Sequence, residues 1–84
     1  MGTKDNPGKF DCYANAEPDE PMFILLARDM SAPAIVEKWA EFRRGLILID
    51  EKPQSDMEMV TDALECAEKM RAWRARKTGR AERQ

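Results

Sequence analysis

Apolar side chains recur along this chain in three blocks, and the spacing inside each block differs. The first, Met22 to Ala27, is unbroken. Ahead of it stands Glu17-Pro18-Asp19-Glu20-Pro21. There Asp19 can accept from free amides, Glu20 suits the positive end of a helix dipole, and Pro21 lacks an N–H that would be unpaired anyway. These features predict a short helix over 20–29. A buried strand competes, because so short a run has no diagnostic period. In the second block Ala32, Ile35, Val36, Trp39, Ala40, Phe42 and Leu46 recur at steps of three and four, with Glu37, Lys38, Glu41 and Arg44 opposite. That pattern predicts an amphipathic helix. Asp29 is placed to cap it, Ser31 is the alternative cap, and Pro33 falls in its first turn. Gly45 weakens the helix by about 1 kcal/mol relative to alanine. Leu46-Ile47-Leu48-Ile49 is apolar on all sides, an end that points to a subunit interface.

After a connecting loop over Asp50–Gln54, Ser55-Asp56-Met57-Glu58 matches the S-x-x-E capping box. Met59, Val60, Ala63, Leu64, Ala67, Met70 and Trp73 then follow at helical spacing, and Gly79 marks the expected end. The fold class is therefore all-α: a short helix plus two longer antiparallel helices, oligomerising, with an extended N-terminal arm. The divisions are an arm at 1–18, a helical domain at 19–78 and a basic tail at 79–84. In the arm Asn6-Pro7-Gly8 is a strong breaker, and Phe10, Cys12 and Tyr13 are the residues expected to pin it down.

Size sharpens the oligomer expectation. If the first 21 of 84 residues are loosely held, roughly 60 remain for a core, near the limit for a lone domain. Two distant cysteines, Cys12 and Cys66, and no signal peptide point to reduced thiols in a cytoplasmic setting rather than a disulfide staple. No apolar run is long enough to span a bilayer, so no membrane role is expected. The absence of histidine removes the histidine-dependent triads and zinc sites. No catalytic constellation is left, so neither an enzyme nor a cofactor is expected.

The net charge of −2 hides two opposite ends. Residues 51–68 carry one lysine against six acids, and residues 69–84 carry seven bases against one acid. Acid first and base last suits the helix dipole. With a pI near 5.2, the solvated helix end is the simpler account of the basic cluster, and nucleic-acid binding is not expected. One grouping does carry binding chemistry. Trp39 and Arg43 are four apart and share a helix face, so the guanidinium can lie over the indole. Arg28 and Asp29 stand at the preceding turn. If Arg28 reaches the same place, two guanidiniums flank a flat aromatic face beside free helix amides, a set suited to a phosphorylated, base-bearing ligand. Tyr13 could close over it with ring and hydroxyl. The plainer alternative makes Trp39 core, Asp29 a cap and Arg28 its ion-pair partner.

The run Asp19-Glu20-Pro21-x-Phe23-x-Leu25-Leu26-Ala27-Arg28-Asp29, then Ala32-Pro33-x-x-Val36-x-x-Trp39-Ala40, resembles a group of small phage and prophage proteins. The Met70-Arg71-Ala72-Trp73-Arg74 close is similar to theirs, and the resemblance covers residues 10–74. It implies a viral origin and action in the bacterial host cytoplasm, and it carries no assigned site residues. The resulting expectation is a non-enzymatic phage protein that counteracts host immunity by sequestering a nucleotide-type signal in pockets of a homo-oligomer. The alternative is a protein–protein inhibitor or assembly factor, directed at a host defence protein through an apolar or acidic helical surface.

Overall fold

The computed structural model describes residues 1–78. Their regular structure is helical throughout: α1 (Cys12–Asn15), α2 (Ala32–Leu48), a 3-10 turn (Gln54–Asp56) and α3 (Met57–Thr78). Two long antiparallel helices form the body, as the periodicity of the second and third blocks predicts. The basic tail at 79–84 and the stop at Gly79 lie outside the described residues.

α2 and α3 meet through small side chains. Ala40 on α2 and Ala63 on α3 have no exposed surface and pack around Val60 and Ile47, with Val36, Trp39, Met57 and Leu64 against their edges. Ala32 and Ala67 are also fully buried. Alanines at these positions let two helix backbones come close, which compensates for the modest area that each side chain buries. Ion pairs close the hairpin toward both ends. Arg71 makes a two-pronged contact with Glu37 at 2.6 and 2.8 Å, and Arg43 Nη1 donates to Asp56 Oδ2 at 3.0 Å.

The turn between them explains how an apolar end is brought to a stop. Asp50 takes a left-handed conformation at φ 65°. Its N–H donates to the Ile47 carbonyl at 3.1 Å, and the Glu51 N–H reaches back to Leu46 at 2.8 Å. This is the paired reverse hydrogen bonding of a Schellman close, with aspartate where glycine is usual. The Ser55–Glu58 box, by contrast, is not formed. Glu58 accepts instead from Lys9 Nζ at 3.2 Å, and the chain winds into α3 through the 3-10 turn, whose Asp56 N–H donates to the Pro53 carbonyl at 3.0 Å.

The short helix expected over 20–29 is absent. Residues 20–26 carry no regular structure, and turns follow at 27–30. Pro18 and Pro21 explain the difference. A proline holds its predecessor away from the helical region, and two prolines three apart leave no uninterrupted first turn. The short helix forms earlier, as α1 in the arm.

Within residues 1–18 the chain closes on itself once before α1. The Asp11 carboxylate accepts from the Gly2 N–H at 3.0 Å and the Gly8 N–H at 2.9 Å, closing a loop. A Cβ on Gly2 would press on Gly8 N at 2.5 Å, so the close backbone approach requires glycine there. The loop rests on α3 through the Met1 ammonium against Asp62 and through Lys9 against Glu58. Met1 packs on the core, whereas Cys12 and Tyr13, expected to pin the arm, are exposed.

Candidate ligand face on α2

Arg43 lies over the Trp39 ring, with its guanidinium carbon 5.2 Å from the ring centroid. The four-residue step places them together. Arg43 is also held by Asp56, and both side chains are mostly shielded from solvent. One edge of the indole packs on the hairpin core, so Trp39 is part core and part surface. Its outer side borders a shallow, open depression lined by Ile35, Lys38, Trp39, Glu41 and Phe42. Phe42 is 69% exposed at its rim.

The other expected site residues lie elsewhere. Asp29 Oδ1 accepts from the Ser31 N–H at 2.9 Å and the Ser31 hydroxyl at 2.7 Å. It thus organises the turn ahead of α2, and the Ser31 hydroxyl, then the Ser31 amide, hold its pKa below the usual carboxylate value. Ser31 stands at the cap position without a capping side-chain bond of its own. Arg28 is exposed in the same turn and makes no ion pair among the described residues. Arg43 sits eleven residues beyond Ala32, about 16 Å farther along the helix axis. Tyr13 is 75% exposed on α1.

Ile35, Lys38 and Phe42 complete the face and were not singled out as site residues from the sequence. The signal was there. At about 100° per residue, the apolar set from Ala32 to Leu46 covers an arc too wide for one partner helix to bury. Among the thiols, burial pushes the Cys66 pKa up, which disfavours a reactive thiolate. No helix among the described residues is long and apolar enough to cross a membrane. No protein-family model, curated protein or solved structure matches the chain.

Proposed function

We propose that this chain is a non-enzymatic binding protein whose working form is a homo-oligomer, and that it sequesters a nucleotide-type, phosphorylated signal in pockets formed between copies. The observation that carries the reading is the Trp39–Arg43 stack beside the open Ile35–Phe42 depression. An indole face offers stacking to any base, and guanidinium and ammonium groups attract phosphate. Lys38 is free to turn toward such a ligand, its ammonium lying 4.0 Å from Glu41 in an exposed pair. The exposed Arg28 and Tyr13 are available to a pocket shared between copies. The resemblance to phage proteins supplies the setting: action against host immunity in a bacterial cytoplasm.

The test is a melting-shift and calorimetry panel of cyclic oligonucleotides and mononucleotides. A Trp73→Phe background assigns any fluorescence quenching to Trp39. The expected result is a raised melting temperature and a quenched signal for at least one nucleotide, both abolished in Trp39→Ala. Silence across the panel would overturn the nucleotide reading.

A second reading has its own observation. Leu48 and Ile49 are exposed at the close of α2, and such an apolar end suits a protein–protein inhibitor or assembly factor. Binding to a host defence protein that is lost in Leu48→Asp, with no response to nucleotides, would favour it.

A further inference from the structure

α2 carries two apolar faces, and α3 covers only one. The inward face holds Ala32, Val36, Ala40 and Ile47. The second runs Ile35, Trp39, Phe42, Leu46 and Ile49, at steps of four, three, four and three. That alternation is the seam of a coiled coil. At about 100° per residue these five positions fall within an arc of about 80°, turned about 100° from the inward face. Ile35, Phe42 and Ile49 are exposed, while Trp39 and Leu46 are half-buried.

We propose that a second copy of this chain covers this seam, the two α2 helices packing antiparallel about a two-fold axis at Phe42. The assignment rests on the homo-oligomer reading above and specifies its interface. Three observations support a second copy as the occupant. First, the chain exposes 6819 Å², where a compact monomer of 9.6 kDa exposes about 5,100 Å². The surplus, summed over the whole chain with its exposed arm and the Met22–Leu26 stretch, exceeds the roughly 800 Å² that each partner contributes to a standard interface. Second, the seam is self-complementary: reversed about Phe42, Ile35 meets Ile49, and Trp39 comes level with Gly45, one residue short of Leu46, of the second copy. Third, Gly45 has no function within the protomer. A Cβ there meets nothing within 4 Å, so neither crowding nor a turn requires glycine. It lies on the flank of the seam, where a missing side chain lets a second helix backbone come close.

The symmetry has a consequence for ligand binding. A two-fold axis between antiparallel helices keeps the same flank of each helix on one side of the pair. Trp39 and Arg43 share a flank, so both copies present their stacked pair at one mouth around the axis. The second copy then fills the Ile35–Phe42 part of the depression, and ligand contact falls to the two Trp39–Arg43 stacks side by side at its edge, a spacing that suits a ligand with more than one base.

The experiment is sedimentation of the full chain at a range of concentrations, for wild type, Phe42→Glu and Gly45→Ala, with helicity checked by circular dichroism. Phe42 is exposed in the protomer, so Phe42→Glu keeps its helicity and weakens dimerisation by at least about thirtyfold. Gly45→Ala separates the possibilities further. It raises the melting temperature of a lone protomer by about 4–8 °C while weakening the dimer. With Cys12 and Cys66 replaced by serine, Phe42→Cys forms a disulfide between copies on oxidation. An oligomer that survives both substitutions, or no 42–42 crosslink, overturns this interface and leaves the homo-oligomer reading standing. A wild-type chain that stays monomeric overturns both, while nucleotide binding by that monomer would still support a binding role.

Discussion

Met22–Leu26 and Val60–Ala67 show what apolar residues achieve with and without a matching period. The first stretch is the more hydrophobic, yet Phe23 is 82% exposed. The second is diluted by Thr61, Asp62, Glu65 and Cys66, yet Val60, Ala63 and Ala67 are sealed. Hydrophobicity favours burial only when the side chains share a face and a partner surface meets it. The α3 residues return every three or four positions to one side, where alanines on α2 let the backbones close. The five consecutive apolar residues of the first stretch point several ways from a chain segment that prolines keep out of a helix.

The largest test of that contrast is overpacking the covered side. Ala63→Leu is expected to destabilise the fold by about 1–3 kcal/mol, read as a fall in the denaturation midpoint at unchanged slope. A tolerated leucine there would mean that the close helix approach is not what holds the hairpin. Next comes the clasp at the turn end of the hairpin. Arg43 and Asp56 are mostly shielded, and a double-mutant cycle of Arg43→Ala and Asp56→Ala is expected to return a coupling of about 1 kcal/mol. A coupling of zero would reduce that pair to a surface contact.

The other clasp gives a pH signature. The Arg71 hydrogen bonds lower the Glu37 pKa from its ordinary 4.5, so the unfolded chain binds this proton more tightly than the folded one. The contribution is complete above that value and is lost as pH falls through the folded-state pKa. Melting curves across the acid range should therefore show wild type losing more stability below about pH 5 than Glu37→Gln does. Parallel curves would remove Glu37 from the account. At the small end, Phe23→Ser is expected to shift protomer stability by less than about 0.5 kcal/mol, despite deleting an aromatic ring. A large loss would show that the uncovered stretch is packed in solution.

Two of the three blocks were legible because a helix period needs only local spacing. The places of α2 and α3, the loop between them and the Trp39–Arg43 stack all follow from steps of three, four or a terminal signal. Where side chains could choose between partners, local spacing was silent. Glu58 could cap its own helix or meet Lys9, and the arm's fold decided for Lys9.

The linear chain determined that there would be two amphipathic helices and which residues each would turn to one side, because φ/ψ preference and side-chain period act over a few residues. Tertiary structure decided which of two apolar faces on α2 met α3, and it left Ile35, Phe42 and Ile49 outward. It also decided that Met22, Phe23, Ile24 and Leu26 would go uncovered. Those outcomes depend on which surfaces fit at close range, and the fit exists only once both helices are in place.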